Sequence, residues 1–213
     1  SSVKSGVVLP VQGGKDGWRD ERFTGQLAIN IMTNDVWFEN TSFVKGSRLG
    51  NKPYYYVDFA DKKVRLVVAC SYFYQYSKED ELFEKFKGFE AEQLSWLKND
   101  ALCPPEGYAV IIFSHTIPKS RFETGKDPFI YKTWSTEQNL MLLQRAKRLN
   151  GVDIAAWISG GYDNEEATEV GGINYITTKS FVGNGSWYEI SLDRESRKLE
   201  LASGKDAVIT VEY

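Results

Sequence analysis

Apolar and polar positions alternate along this chain in two different rhythms. Pro53–Phe59 is aromatic and strongly β in propensity, with Tyr54, Tyr56 and Asp58 alternating against Tyr55, Val57 and Phe59. Ala60–Lys63 is a polar turn, and Val64–Cys70 is a short apolar run, so the two predict a hairpin. Tyr108–Phe113, after Pro104–Pro105–Glu106–Gly107, and Val152–Ile158 read as further buried strands. Glu90–Leu97 follows a helical rhythm, with Leu94 and Leu97 three apart and Glu90 and Glu92 near its start. A second helix is capped by Ser135 and carries the stripe Leu140, Met141, Leu143, Ala146 and Leu149, and Asn150–Gly151 stops it. Ser77–Lys87 is charged and helix-compatible, and Asn164–Val170 reads as an acidic loop. Gly172–Thr178 is a strand, Trp187–Leu192 and Lys198–Leu201 form a hairpin across Asp193–Arg197, and Ala207–Val211 closes the series. Val7–Val11 is a strand near the start. The middle thus alternates strand and helix, and the end is all strand. That predicts a layered α/β (α+β) architecture of mixed β-sheets flanked by helices, finished by antiparallel strands.

The 213 residues suggest a single domain over 1–213, and a hydrophobic content of 42% is enough for a real core. A net charge of −3 argues against nucleic acid as a partner. No apolar run approaches the roughly 18 residues of a membrane span. The two cysteines, Cys70 and Cys103, form neither a disulfide framework nor a zinc pattern.

The candidate chemistry lies where strands end. His115, the only histidine, follows the strand Tyr108–Phe113 through Ser114. Gln12–Gly13–Gly14–Lys15–Asp16–Gly17 follows Val7–Val11, and Ser159–Gly160–Gly161–Tyr162–Asp163 follows Val152–Ile158 as a glycine-rich turn. Strands side by side would bring these turns to one crevice, the usual place for chemistry in an open α/β sheet. A serine hydrolase would need His115 as its base, and no Gly-x-Ser-x-Gly elbow occurs. Cys70 reads as a small buried thiol rather than a nucleophile. Lys15 with Gly13 and Gly14 has the makings of an anion cradle, although the pattern is not a nucleotide P-loop.

The order and spacing of these three turns resemble the second half of a calcineurin-like metallophosphoesterase. That family has a Gly-Asn-His-Asp/Glu turn, then a strand ending in a Phe-Ser-His stretch, then a strand ending in Gly-His-x-His. The resemblance covers roughly residues 7 to 202 and is nearest to the calcineurin-like domains of phage and Gram-positive structural proteins. It implies a partial metallophosphoesterase-like sandwich. The metal positions depart from the family. Gly14 stands at the ligating Asn and Lys15 at the His of the first motif, followed by Asp16. Gly161 and Asp163 stand at the two His positions of the last motif, and only His115 keeps a ligand place. The family's Asp-x-His and Gly-Asp-x-x-Asp do not precede Gly13, so the chain is expected to be a fragment of a larger one.

A dinuclear phosphoesterase needs both ions to polarise the phosphate and generate hydroxide, and each ion needs about four to six ligands. One imidazole and a carboxylate fall short, and Lys15 adds charge of the wrong sign. The resemblance therefore implies a catalytically inactive module with a vestigial pocket formed by Gly14, Lys15, Asp16, His115, Gly161 and Asp163. No cofactor is expected, and His115 and Asp163 are the residual candidates for a weak divalent-metal site. Expected partners are other subunits of an assembly, in a virion or the cytoplasm, with a surface glycan or a phosphate-containing ligand as further options. The alternatives are a metal-dependent phosphoesterase completed by an upstream domain or partner chain, and a carbohydrate-binding adhesin using the tyrosines of Tyr54–Tyr56 and Tyr72–Tyr76.

Overall fold

The computed structural model describes residues 47–48, 54–77, 82–87, 89, 91–115, 136–162, 165–179, 187–203 and 206–213. The strands in chain order are β1 (Ser47–Arg48), β2 (Tyr55–Phe59), β3 (Val64–Val68), β4 (Tyr72–Ser77), β5 (Leu82–Lys87), β6 (Ala109–Ser114), β7 (Asp153–Tyr162), β8 (Glu166–Val170), β9 (Ile173–Lys179), β10 (Glu189–Asp193), β11 (Lys198–Ser203) and β12 (Asp206–Glu212). Helix α1 (Ala91–Trp96) runs on into a π-helical turn, Leu97–Ala101, and α2 spans Thr136–Asn150.

A mixed seven-stranded sheet runs in the order β1-β2-β3-β6-β7-β9-β8. Its four central strands, β3, β6, β7 and β9, are parallel, and antiparallel neighbours flank them on both sides. The expected β2–β3 hairpin is present, closed by Lys62 N–H to Phe59 O (3.1 Å) and Lys63 N–H to Ala60 O (3.3 Å). The crossovers from β3 to β6 and from β6 to β7 carry α1 and α2. Both advance across the sheet in the same direction, so right-handed connections place both helices on one face. That face is one core, in which Trp96, Leu97, Leu143 and Ala146 of the helical segments meet Val67, Val110, Ile112, Ile154, Trp157 and Tyr175 of the sheet. The opposite face packs Ile111, Ala155, Ala156, Ile158 and Ile176 against Leu199, Leu201 and Ile209 of the antiparallel sheet β10-β11-β12. The result is three layers: helices, a mixed sheet, and a small antiparallel sheet.

A bulge in β7 sets the composition of both cores. Val110 pairs with Ile154 but Ile111 pairs with Ala156, which leaves Ala155 as an extra residue. Ala155 and Ala156 therefore both lie in the core under the antiparallel sheet, and Trp157 moves to the helix side. Strict alternation would have sent Trp157 to the other face.

Four expectations change. The segment within Ser77–Lys87 is strand, because β5 pairs with the tyrosine-rich β4 as a separate two-stranded sheet. Helix propensity of Glu and Lys is a weak prior that an available β partner overrides. The acidic stretch before Gly171 is β8, paired to β9 through a two-residue Gly171–Gly172 turn with φ of 61° and 75°. Positive φ at both positions is the type I′ hairpin requirement, which glycine meets without strain. The run Ser159–Gly160–Gly161–Tyr162 is not a turn, since β7 continues through it with a register shift before Tyr162. On α2, Leu143 and Ala146 are buried, but Met141 (68% exposed) and Leu149 (59%) face water, so the packed stripe is narrower than the periodicity implies. Val7–Val11, Gly13–Gly17 and the Ser135 cap lie outside the described residues. Among the described residues, no helix is long and apolar enough to cross a membrane.

Candidate functional site at the carboxyl ends of the parallel strands

Each of the four parallel strands reaches the same edge of the sheet with a hydroxyl residue after its apolar run: Ser71 beyond β3, Ser114 on β6, Ser159 on β7 and Thr177 on β9. All four are buried. The register puts Ser114 opposite Ser159, and Ser159 opposite Thr177. Residues in register share a face, so Ser114, Ser159 and Thr177 form a transverse row. Their preceding neighbours Phe113, Ile158 and Ile176 belong to the core under the antiparallel sheet, which puts the row on the helix side.

The row is knitted together. Trp157 Nε1–H donates to Ser114 Oγ at 2.7 Å, Ser159 Oγ donates to the carbonyl of His115 at 3.4 Å, and Thr178 Oγ1 donates to the carbonyl of Ser159 at 3.3 Å. A Cβ at Gly160 would come to 3.4 Å from Thr178 Oγ1, which is ordinary van der Waals contact across the β7–β9 seam. Beside β3, the side-chain amide of Gln93 on α1 receives the N–H of Cys70 and donates to its C=O, both at 2.8 Å. Gln93 thus completes the backbone pairing of Cys70 as a neighbouring strand would, and the thiol is buried.

At the β9 end, Lys179 Nζ meets Glu165 Oε2 at 2.8 Å, and the hydroxyl of Tyr188 donates to Glu165 Oε1 at 2.8 Å. The hydrogen bond from Lys179, with that from Tyr188, holds the Glu165 carboxyl below its usual range. The same partnership with Glu165 raises Lys179. Lys179 lies opposite Tyr162 of β7, so this ion pair stands on the same edge as the hydroxyl row.

Of the six pocket residues expected from sequence, His115 and Gly161 are described. His115 directly follows β6 at the predicted edge, half-buried. Gly161 is in β7 itself rather than in a loop. Gly14, Lys15, Asp16 and Asp163 lie outside the described residues. Among the described residues, no group of three or more His, Cys, Asp or Glu side chains gathers. The tyrosine platform is unavailable at Tyr54 and Tyr55, which are 1% and 2% exposed, and the Arg65 guanidinium covers the ring of Tyr56 at 3.7 Å. Sequence reasoning missed Ser71, Gln93, Thr177 and the Glu165–Lys179–Tyr188 cluster. The signal for the hydroxyls was present: Cys70–Ser71, Phe113–Ser114, Ile158–Ser159 and Ile176–Thr177 each change from apolar to hydroxyl in one step.

Compared with models of protein families and with curated proteins, the chain matches no family and no curated relative.

Proposed function

We propose that this chain is a metallophosphoesterase-like domain without phosphoesterase chemistry, serving as a structural or ligand-binding module of a larger assembly, such as a virion or a bacterial surface structure. The observation that carries this reading is the hydrogen bonding at the strand ends. Trp157, Ser159 and Thr178 spend their donors on Ser114, on the His115 carbonyl and on the Ser159 carbonyl. A phosphoesterase edge instead points imidazoles and carboxylates into open space for two metal ions. Here the polar groups bind strand ends to one another, which suits a scaffold. The order of strands and the Phe113–Ser114–His115 stretch support the family likeness, and the partial sandwich is part of the same proposal. The virion or surface setting rests on that likeness alone.

The test supplies manganese or zinc, assays a generic phosphodiester substrate, and measures bound metal in parallel, for the wild type and His115→Ala. Metal-free protein without turnover, unchanged by the substitution, is the expected outcome. Stoichiometric metal with turnover abolished in His115→Ala would refute the proposal.

A further inference from the structure

The two outer layers of the molecule carry opposite charge. On α2, Leu143 and Ala146 are buried, whereas Met141, Arg145 and Arg148 are exposed. Spaced four and three apart, these three form the crest of the helix opposite its buried side, with exposed Leu149 beside them. Lys147 turns aside to the Gly172 carbonyl at 2.9 Å, and no acid falls between Met141 and Asn150. Neighbouring α1 and its π-helical turn are mixed in sign, with Glu92, Lys98 and Asp100 exposed, so the cationic strip is α2 itself. On the far side, the antiparallel sheet turns Ile190, Leu192, Leu199, Leu201 and Ile209 to the core. Its other face exposes Glu189 and Asp193 of β10, Lys198 and Glu200 of β11, and Glu212 of β12. Lys198 stands in register between Asp193 and Glu212 and partly balances them. Glu189 and Glu200 are diagonal neighbours at the other end, and Trp187, 57% exposed, continues the alternation two residues before Glu189. Among the described residues, none of Arg145, Arg148, Glu189 and Glu200 is held in an ion pair, and the exposed large hydrophobics are Met141, Leu149 and Trp187.

We infer that copies of this chain stack head to tail, with the α2 crest of one seated on the outer face of the β10-β11-β12 sheet of the next. The adjacent arginines match the Glu189–Glu200 pair in charge and in spacing, since i,i+3 positions on a helix and diagonal positions on a sheet both lie within about 5–8 Å. Trp187 offers its ring to an arginine or to the apolar side chains of α2. Three strands present a face about 14 Å wide, and the helix from Met141 to Asn150 is about 15 Å long, so the two surfaces are of one size. A two-fold contact through either face would set its charges against their own kind. The two faces point away from each other across the three layers, so the contact is heterologous and builds a row or a ring rather than a closed pair. This footprint is well below the roughly 800 Å² per partner of a stable complex, so each contact is weak and shows at high protein concentration. The inference uses only the outer layers and stands whichever way the metal assay falls.

The experiment is sedimentation velocity of the full chain over a concentration series, at about 0.02 M and about 0.5 M salt. The wild type is expected to grow beyond a dimer with concentration at low salt and to disperse at high salt. Arg145→Glu/Arg148→Glu and Glu189→Lys/Glu200→Lys are each expected to weaken association at least about tenfold, and an equimolar mixture of the two to regain it, because each reversed face then meets its complement. Lys62→Glu, on the β2–β3 turn, leaves association unchanged, and unaltered circular dichroism shows that each variant folds. A wild type that stays monomeric, a dimer that grows no further, association indifferent to both reversals, or a mixture that fails to associate would overturn the proposal.

Discussion

Arg65 of β3 is a charged side chain buried among the described residues. It is 4% exposed, and it sits directly opposite Asp58 in the β2–β3 hairpin. Its Nε reaches Asp58 Oδ1 at 2.7 Å and one terminal nitrogen reaches Oδ2 at 2.8 Å. The other terminal nitrogen donates to the carbonyls of Asp100 and Ala101, both at 3.1 Å, at the end of the π-helical turn. The Asp100 carbonyl also accepts from Cys103 N–H at 3.0 Å, so Arg65 adds a second donor there and reaches the Ala101 carbonyl at the helix end from the sheet. Burial alone would lower the guanidinium pKa, but the hydrogen bonds and charge of Asp58 outweigh it and hold Arg65 above its ordinary value. Removing one partner of a fully buried pair costs about 3–5 kcal/mol. The Asp58 side chain is 31% exposed, so water recovers part of its solvation and the ion-pair share falls to about 2 kcal/mol. The two carbonyls add roughly 0.5–1 kcal/mol each. Arg65→Ala is therefore expected to lose about 3–4 kcal/mol. With a urea m-value of about 2 kcal/mol/M, the unfolding midpoint drops by roughly 1.5–2 M. Trp96, packed 4.8 Å from Tyr54 and 6.3 Å from Tyr56, gives a fluorescence signal close to the perturbation. Asp58→Asn closes a double-mutant cycle, in which a coupling of at least about 1 kcal/mol is expected. A change below about 0.5 kcal/mol in Arg65→Ala, or strict additivity with Asp58→Asn, would show that the clamp contributes nothing net.

Two further outcomes test other parts of the structure. Gln93→Ala strips the paired N–H and C=O of Cys70 of their partner in a buried setting, and should cost about 2–4 kcal/mol. Thermal unfolding would measure that loss, and faster labelling of the Cys70 thiol would locate it; labelling as slow as in the wild type would deny Gln93 its role. Burial pushes the Tyr55 phenol far above its ordinary value of 10.0. The unfolded chain therefore releases this proton at a pH where the folded chain keeps it, and stability falls as pH rises past about 10, by up to about 1.4 kcal/mol per unit. Tyr55→Phe should have a flatter alkaline limb between pH 9 and pH 11 in urea unfolding, and an unchanged slope would place the effect elsewhere.

The sequence by itself determined strands β2, β3, β6, β7 and β9 of the central sheet, the two helical segments, the C-terminal antiparallel finish and the position of His115 after β6. These are written in local periodicity, which reports how many faces of an element are buried. The apolar-to-hydroxyl steps at the strand ends were equally local. Only the tertiary structure decided which strands adjoin, and so that Ser114, Ser159 and Thr177 become one row. It kept the Gly160–Gly161 run inside β7, in an irregularity between the Ser159–Thr177 and Tyr162–Lys179 pairs with β9, and turned the acidic stretch into β8 across a Gly171–Gly172 turn. The bulge at Ala155 chose the face of Trp157, and the depth of packing chose Leu143 over Met141 on α2. Arg65 reads in sequence as a polar interruption of an apolar run. It is buried because Asp58 lies across the hairpin and two helix-end carbonyls lie above it, and neither condition is visible until residues 35 and 36 positions away come into contact. Pairing, register and the fate of buried polar groups depend on such distant partners, which periodicity along the chain does not encode.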